Sequence, residues 1–233
     1  MKFDAIAFDA DDTLWHNMNL FDNSQNKFRD LLLPDHSPDW INERLYAAET
    51  RNLEIFGYGV KGFTLSMIET AIELTEGRIT ANEIQSILDV GKTMLKTPAQ
   101  LLDNVQHVIH ELSHVHTLML ITKGDLFDQE RKIAQSGLAD YFTHVEILSN
   151  KSEADYQRIL DRYNLSADRF LMIGNSLRSD ILPVVAIGGQ AVHIPYQITW
   201  QHEIATKEEQ SKHTYHQLEA IAQLPVLIDE LCR

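Results

Sequence analysis

The sequence predicts an α/β fold, in which a parallel sheet forms the core and a four-helix domain is inserted after the first strand. The segment 3–9 (FDAIAFD) is apolar and is typical of a buried strand. Between residues 16 and 97 the apolar residues recur at helical spacing, with no convincing strand. Beyond residue 98, short apolar runs alternate with helical patterns, which indicates a parallel sheet covered by helices on both faces.

The inserted region contains four predicted helices. They cover residues 20–33, 39–55, 63–75 and 80–95. The segment 34–38 (PDHSP) should end the first helix, and the glycine-rich segment 57–62 should separate the second from the third. Thr80 and Glu83 have the spacing of a capping box at the start of the fourth. We therefore expect a helical domain at 16–97 and a core made of residues 1–15 and 98–233.

The rest of the chain supplies the other elements of the core. The predicted strands are 116–122, 143–148, 169–174 and 191–194, and the predicted helices are 99–113, 125–136, 152–163, 178–187 and 214–231. Parallel strands need long crossover connections, and a helix between each pair of strands provides them.

Composition limits the partners that the chain can have. Its formal net charge of −14 argues against nucleic acid, because phosphate backbones are bound by clustered Lys and Arg. Cys232 is the only cysteine, so no disulfide can form within the chain and a reducing compartment fits. Neither a signal peptide nor an apolar run of about 20 residues is present. We expect a cytoplasmic protein without a membrane span.

The predicted strand ends carry polar residues that can act together. These are Asp9, Asp11 and Thr13 after the first strand, Thr122 and Lys123 after the second, Lys151 after the third, and Asn175 and Asp180 after the fourth. Ligands of open parallel sheets bind at the carboxyl ends of the strands. Neighbouring acids repel one another and are best tolerated beside a cation. The arrangement indicates a metal-assisted reaction.

In this order the motifs Asp-x-Asp-x-Thr, Thr, Lys and Gly-Asn-Ser-x-x-x-Asp resemble those of the haloacid dehalogenase-like (HAD) hydrolase superfamily. The helical insertion after the first motif resembles its subfamily I, which carries a type-1 cap. The resemblance covers nearly the whole chain. It implies a Rossmann-like core and a helical cap that closes over the site and sets specificity.

The resemblance also implies roles for individual residues. Asp9 would be the nucleophile that forms an aspartyl-phosphate, and Asp11 the general acid and base. Thr122, Lys123 and Lys151 would bind the phosphoryl group, and Lys151 would balance the charge of the acids. The expected function is a Mg²⁺-dependent phosphatase that hydrolyses a small phosphorylated metabolite.

Mg²⁺ would be held by the Asp9 side chain, the Asp11 backbone carbonyl, and Asn175 or Asp180. The family most often has Asp where this chain has Asn175. An amide oxygen can still coordinate the ion, but one negative charge is lost and a lower metal affinity is expected. Asp180 retains an acid in the same loop.

Other functions stay open at this point. A phosphonate hydrolase would need a cap lysine that forms a Schiff base, for which Lys61 is a weak candidate. A phosphomutase keeps the same fold, and so does a dehalogenase, although a dehalogenase needs no second acid at Asp11. A phosphorylated receiver domain would lack the helical insertion. A catalytically silent binding protein would not require the set of acids, Thr122 and Lys151.

Three further features have simpler interpretations. His107, His110 and His114 share a helical face, but no arrangement of other ligands completes a zinc site. The segment 57–62 is either a turn between helices or a loop that brings Tyr58 and Lys61 to the substrate. His16 and Asn17 are candidates for a hinge or a substrate contact. The oligomeric state stays open.

Overall fold

The computed structural model of the protein describes residues 3–32 and 36–233, which form two units. The sheet unit comprises the described residues up to Met18, together with Ala99–Lys123 and Gln129–Arg233. The helical unit comprises the described residues of Asn19–Pro98, together with Gly124–Asp128. The assignment of these units as a catalytic core and a cap stays a prediction.

The sheet unit is built on a parallel sheet, as predicted. Within the described residues the sheet has six strands in the order β3-β2-β1-β4-β5-β6, and every pair is parallel. The strands are β1 Ala5–Phe8, β2 Leu118–Lys123, β3 His144–Leu148, β4 Phe170–Gly174, β5 Gln190–His193 and β6 His216–Gln217. β1 lies between β2 and β4, with Phe8 in register with Leu120 and Ile173. The residues that follow β1 therefore start at the middle of the sheet edge.

The helices of the described residues follow the predicted order, apart from the short helix at Lys207–Ser211, which was not predicted. They are α1 Met18–Leu32, α2 Pro38–Phe56, α3 Val60–Leu74, α4 Ala81–Lys96, α5 Val105–Ser113, α6 Leu126–Ser136, α7 Glu153–Tyr163, α8 Leu182–Ala186, α9 Lys207–Ser211 and α10 Leu224–Leu231. A π-helical turn at Leu177–Ile181 leads into α8. Short 3₁₀ turns lie at Ala139–Tyr141, Ala167–Arg169, Gln201–Glu203 and Ile221–Gln223.

Side chains alternate across β1 and supply two separate cores. Ile6 and Phe8 belong to a buried cluster with residues of α5 and α10, such as Ile109. Ala5 and Ala7 face the opposite cluster, which contains Tyr156 of α7. All four residues of β1 are buried, as expected for a central strand covered on both faces.

The helical unit has a core of its own. Buried residues from all four helices form it, including Phe28 of α1, Leu45 of α2, Met67 of α3 and Ile87 of α4. The capping box predicted at Thr80 is present, with both of its reciprocal hydrogen bonds to Glu83. The predicted helix break at 34–38 lies partly outside the described residues, and α2 begins at Pro38 within it.

The prediction that 57–62 forms a loop is wrong in its second half. α3 begins at Val60, so that Lys61 and Gly62 lie in its first turn. Gly59 has a φ of 117°, which L side chains rarely adopt, and it permits the sharp entry into the helix. A Cβ on Gly62 would lie 2.8 Å from the carbonyl oxygen of Gly57. Gly59 and Gly62 thus permit a tight junction between α2 and α3. Composition alone predicts a loop there.

Two predicted helices are too long. Residues 99–104 are not helical, because Leu101 forms a bridge with Trp15 and Asn104 adopts a φ of 64° before α5. Residues 214–223 contain β6 and a 3₁₀ turn, and only Leu224–Leu231 is α-helical. The short pairing of β6 with β5 outweighs local helical periodicity there. In the described residues, no helix combines the length and the apolarity that crossing a membrane requires.

Candidate active site

Asp9 follows β1 directly and is buried. Its Oδ1 accepts a hydrogen bond from Lys151 Nζ at 2.6 Å, and its Oδ2 accepts one from Thr13 Oγ1 at 3.0 Å. Burial, together with the charge of Asp180, raises the pKa of Asp9 to about 7, although Lys151 opposes the shift. The site therefore has more negative charge than its lysine compensates.

Lys151 connects the first motif to the last. Its Nζ also donates to Asp180 Oδ1 at 2.7 Å, and all three side chains are buried. Burial alone would lower the pKa of the Lys151 ammonium, but the charges of Asp180 and Asp9 outweigh it and hold the pKa above its ordinary value. The lysine is thus a fixed positive charge between two acids.

The loop after β4 brings Asn175 and Asp180 to the same place. Thr13 Oγ1 lies 3.3 Å from Asn175 Oδ1, so one hydroxyl contacts both Asp9 and the amide oxygen. The second oxygen of Asp180 accepts a hydrogen bond from the backbone N–H of Ser176 at 2.9 Å. Gly174 permits this close approach, because a Cβ there would lie 2.3 Å from Asp180 Oδ2.

Asp11 is oriented by three side chains of the sheet unit. Its Oδ1 accepts a hydrogen bond from Trp15 Nε1 at 2.6 Å, and Lys132 Nζ lies 2.9 Å from both of its carboxylate oxygens. Gln129 Nε2 lies 3.3 Å from Asp11 Oδ2. The second acid of the motif therefore has a defined direction and a buried cationic partner.

Gln129 joins Asp11 to Thr122, which is buried near the end of β2. The Nε2 of Gln129 donates to Thr122 Oγ1 at 2.6 Å and to the carbonyl oxygen of Lys123 at 3.1 Å. Because the Thr122 oxygen accepts this bond, the hydroxyl proton of Thr122 is left to donate elsewhere. That is the orientation needed to bind a phosphoryl oxygen.

Lys123 contacts residues that the sequence did not pair with it. It forms an ion pair with Glu203 and donates to Ser179 Oγ at 2.8 Å. Glu203 also accepts hydrogen bonds from the hydroxyls of Ser176 and Ser179. Burial opposes ionisation of Glu203, but the charge of Lys123 and these hydrogen bonds hold the pKa of the Glu203 carboxyl below its ordinary value. A role of Lys123 in binding substrate stays a prediction.

Asp12 binds the backbone at the start of α1. Its carboxylate accepts hydrogen bonds from the backbone N–H groups of Asn17 at 2.8 Å and Met18 at 3.0 Å, where α1 begins. Burial raises the pKa of Asp12 to about 7, against the effect of these hydrogen bonds. Asp12 has a φ of 63°, a conformation that Asp adopts more readily than most residues.

The two residues beyond the first motif have contacts in the sheet unit. His16 Nδ1 lies 2.7 Å from the hydroxyl of Tyr196. Asn17 Oδ1 accepts a hydrogen bond from Lys132 Nζ at 3.0 Å. Neither contact decides between a hinge and a substrate contact, and both roles stay predictions.

The side chains near Asp9 fit a hard cation such as Mg²⁺. The atoms that could bind the ion are carboxylate and amide oxygens, which are ligands that Mg²⁺ prefers. Thr13 contacts the oxygens of both Asp9 and Asn175. Burial and the charge of Asp180 raise the pKa of Asp9 to about 7, and a cation beside Asp9 would offset both effects. Asp180 Oδ1 accepts a hydrogen bond from Lys151 and Oδ2 accepts one from Ser176, and which of Asn175 and Asp180 would bind the ion directly stays a prediction.

The histidines of α5 do not form a metal centre. His110 and His114 stack with ring centroids 4.6 Å apart, and His107 lies 3.8 Å from Glu111. Over residues 3–32 and 36–233, no group of three or more His, Cys, Asp or Glu side chains is arranged to hold a metal ion. A Mg²⁺ site at Asp9 would therefore also need amide or backbone oxygen atoms.

In the helical unit, Lys61 is paired with a carboxylate. Its Nζ lies 2.9 Å from Asp125 Oδ1 and 5.6 Å from the centre of the Phe127 ring. The Lys61 nitrogen is thus bound to a carboxylate, whereas a Schiff base requires it to attack a carbonyl carbon. The pairing gives no support to a phosphonate hydrolase.

Residues 3–188 match the family model described as haloacid dehalogenase-like hydrolase. The chain belongs to the haloacid dehalogenase-like hydrolases. This HAD hydrolase is also similar to a solved structure, the haloacid dehalogenase-like family hydrolase from Xanthomonas campestris. The two are 40% identical over 98% of this chain and 91% of that chain, with a TM-score of 0.87. The predicted family is confirmed, while the subfamily and the cap type stay predictions.

More distant structures share the fold of this HAD hydrolase. A HAD hydrolase from Bacillus subtilis, solved with bound magnesium, is 16% identical over 98% of this chain and 100% of that chain, with a TM-score of 0.70. A 2-haloacid dehalogenase from Pseudomonas syringae is 21% identical over 98% and 99% of the two chains, with a TM-score of 0.64. No curated protein matches the chain. These two likenesses show the fold alone.

Sequence reasoning missed three residues of the site. Gln129 and Lys132 are one helical turn apart on α6, and the i, i+3 spacing puts them on one face. That spacing, on the helix after Thr122, was an available signal. Glu203 gave no signal, because its side chain contacts Ser176, Ser179 and Lys123, which are all distant in sequence.

Proposed function

We propose that this HAD hydrolase is a Mg²⁺-dependent phosphatase that acts on a small phosphorylated metabolite through a phosphoaspartate on Asp9. The observation that carries the proposal is the Gln129 amide, which contacts both Thr122 Oγ1 and Asp11 Oδ2. Gln129 thereby links the Thr122 hydroxyl, which can donate to a phosphoryl oxygen, to Asp11, which can protonate a leaving alkoxide. A halide leaves without a proton, so a dehalogenase has no use for that acid.

In the first half-reaction, a carboxylate oxygen of Asp9 attacks phosphorus and forms a new O–P bond. The bond between phosphorus and the ester oxygen breaks, and the electron pair goes to that oxygen. Asp11, in its protonated form, transfers its proton to the departing oxygen, which leaves as a neutral alcohol. Asp11 ends this step as a carboxylate, which Lys132 stabilises at 2.9 Å.

In the second half-reaction, water attacks the phosphorus of the phosphoaspartate. The Asp11 carboxylate takes a proton from the water, and the bond between phosphorus and Asp9 breaks. Inorganic phosphate leaves, and both acids return to their initial states. The same side chain thus serves as acid and then as base, which requires that its direction be kept between the two steps.

Fixed positive charge and hydrogen bonds assist both steps. Lys151, buried beside Asp9, offsets the negative charge that collects on the transferring phosphoryl group, and Thr122 donates to one of its oxygens. Mg²⁺, held by the Asp9 side chain, the Asp11 backbone carbonyl and Asn175, would supply the remaining charge that lets an anionic carboxylate meet an anionic phosphate.

Turnover of p-nitrophenyl phosphate, with Mg²⁺ or with EDTA, tests the proposal. The wild-type protein should release phosphate with Mg²⁺, and both EDTA and the substitution Asp9→Asn should abolish the release. The substitution Asp103→Asn, at an exposed acid outside the site, should leave turnover unchanged. Phosphate release that survives Asp9→Asn would contradict the mechanism.

The same samples separate this proposal from its alternatives. Halide release from a 2-haloacid, without any phosphate release from esters, would identify a dehalogenase instead. Transfer of phosphate within a sugar phosphate, without free phosphate, would identify a mutase. A protein that binds Mg²⁺ but turns over neither substrate class would be a silent binding protein. A panel of phosphorylated metabolites then identifies the substrate.

A further inference from the structure

Glu203 carries a mostly buried carboxylate and lies outside the part of the chain matched by the family model. It belongs to the short turn Gln201–Glu203 between β5 and β6, whereas the match ends at residue 188. Its side chain is only 12% exposed. A carboxylate in such a place needs hydrogen-bond donors or a cation, because burial without them is costly.

The donors to Glu203 come from the loop that carries Asn175 and Asp180. Ser176 donates its hydroxyl to Glu203, and Ser179 Oγ donates to Glu203 Oε2 at 2.6 Å. Ser176 is fixed at a second point as well, since its backbone N–H donates to Asp180 at 2.9 Å. The backbone N–H of Ser179 donates in turn to Ser176 Oγ at 3.0 Å. Glu203 therefore holds the loop through two serine hydroxyls, in addition to the bond between Ser176 and Asp180.

Lys123 completes the cluster and joins it to the end of β2. It neutralises Glu203 and donates to Ser179 Oγ at 2.8 Å. Thr122, the neighbouring residue, is held by Gln129 at 2.6 Å. The cluster thus connects the strand end that carries Thr122 to the loop that carries Asn175.

We propose that Glu203 is a positioning residue for Mg²⁺ binding, a role that rests on the proposed function. It fixes Ser176 and Ser179, so that the amide oxygen of Asn175 stays beside Asp9. A neutral amide attracts Mg²⁺ less than a carboxylate does, and its contribution depends more on being held in place before the ion arrives. Glu203 holds the Asn175 loop in place, and it does so from a segment beyond the residues that match the family model.

Isothermal titration of the full-length protein with Mg²⁺ tests this role without reference to turnover. The substitution Glu203→Ala should raise the dissociation constant about tenfold, as is typical when a residue that orients a metal ligand is removed. Glu203→Gln retains an oxygen that accepts from both serines, and it should recover most of the affinity. At saturating Mg²⁺ the kcat of Glu203→Ala should return close to the wild-type value, because Glu203 touches no reacting group.

A double-mutant cycle guards against simple misfolding. Ser179→Ala cuts the same link from the side of the loop, so it should also weaken Mg²⁺ binding, and the double variant should lose little more than Glu203→Ala alone. Glu208→Ala, at an exposed acid paired with Lys212 on the same segment, is the matched control and should bind Mg²⁺ like the wild type.

The outcomes distinguish this inference from the proposed function. If Glu203→Ala and Ser179→Ala, both folded by circular dichroism, bind Mg²⁺ within twofold of the wild type, the positioning role is wrong while the phosphatase proposal stands. If the wild-type protein does not bind Mg²⁺, both are wrong. Additive losses in the double variant would also overturn the role, because the two residues would then act separately.

Discussion

Lys151 Nζ lies 2.6 Å from Asp9 Oδ1, and both side chains are buried. Burial, together with the nearby charge of Asp180, raises the pKa of Asp9 to about 7 in spite of its lysine. The acid that would attack phosphorus is therefore held in place before any ligand arrives, but its charge is not fully compensated. Several expectations depend on that imbalance.

The substitution Asp9→Asn should abolish turnover without destabilising the metal-free protein. Folding raises the pKa of Asp9 from 3.8 to about 7, so between these values the folded state binds more protons than the unfolded chain. The free energy of unfolding contributed by Asp9 therefore falls as the pH rises through this range. Asn cannot ionise, so the variant does not lose this free energy of unfolding as the pH rises. Urea denaturation in EDTA at pH 8 should find it at least as stable as the wild type, with turnover reduced at least about a thousandfold.

Stability that drops sharply in Asp9→Asn at pH 8 would contradict this view of the charge. It would mean that the ion pair with Lys151 adds more to the free energy of unfolding than the burial of Asp9 and the charge of Asp180 subtract from it. A comparison at pH 4, where Asp9 is protonated in the folded wild type, controls for effects of the substitution other than charge. There the two proteins should differ least.

Mg²⁺ binding should release protons near neutral pH. The ion competes with the proton on Asp9, whose pKa is about 7 in its absence, so Mg²⁺ affinity should increase as the pH rises from 6 to 8. Titration calorimetry at pH 6.5 in two buffers with different ionisation enthalpies measures the protons released. Equal heats in the two buffers, together with an affinity that does not change over this range, would show that Asp9 is not a ligand.

The substitution Lys132→Met should destabilise the protein and reduce turnover. Lys132 is buried and lies 2.9 Å from both oxygens of Asp11, so its loss leaves a partly buried carboxylate without its cation. We expect a loss of about 1–3 kcal/mol in the free energy of unfolding. The matched control is Lys92→Met, which removes an exposed partner of Asp89 and should leave the free energy of unfolding nearly unchanged. Equal losses in the two variants would refute a special role for Lys132.

The substitution Gln129→Glu should weaken the binding of phosphate. In the wild type the Gln129 amide donates to Thr122, which frees the threonine proton for a phosphoryl oxygen. A carboxylate at this position would take that proton and would repel Asp11. Competitive inhibition by inorganic phosphate should weaken about tenfold, which corresponds to about one charge-assisted hydrogen bond. Gln135→Glu, on the exposed face of α6, should leave inhibition unchanged, and an unchanged constant in Gln129→Glu would refute the orientation of Thr122.

The strands and most of the helices could be predicted because they depend on local patterns. The run before Asp9 is apolar on every residue, as a central parallel strand requires, and Thr80 with Glu83 forms the expected capping box. β6 could not be predicted, since its two residues are extended only through pairing with β5. The prediction of a helix over 214–231 followed local periodicity, which tertiary pairing overrides.

The acids and the lysine of the site could be predicted because each follows a strand, and the ends of parallel strands meet. What could not be predicted is how these groups are held. Glu203 reaches Ser176 through the fold alone, and Asp180 contacts Lys151 rather than presenting a free carboxylate. Side-chain partners of this kind depend on packing between distant segments, which no spacing in the sequence reports.

The most direct test of the central claim is mass spectrometry of the acid-quenched protein after mixing with a phosphate ester and Mg²⁺. The variant Asp11→Asn is the best sample, because it should form the intermediate from an ester with a good leaving group, such as p-nitrophenyl phosphate, and hydrolyse it slowly. We predict that the peptide containing Asp9 gains one phosphoryl group, located on Asp9, and that Asp9→Asn gains none. Phosphate release by the wild type, with no phosphorylated peptide in the Asp11→Asn sample or with the group on another residue, would contradict the account.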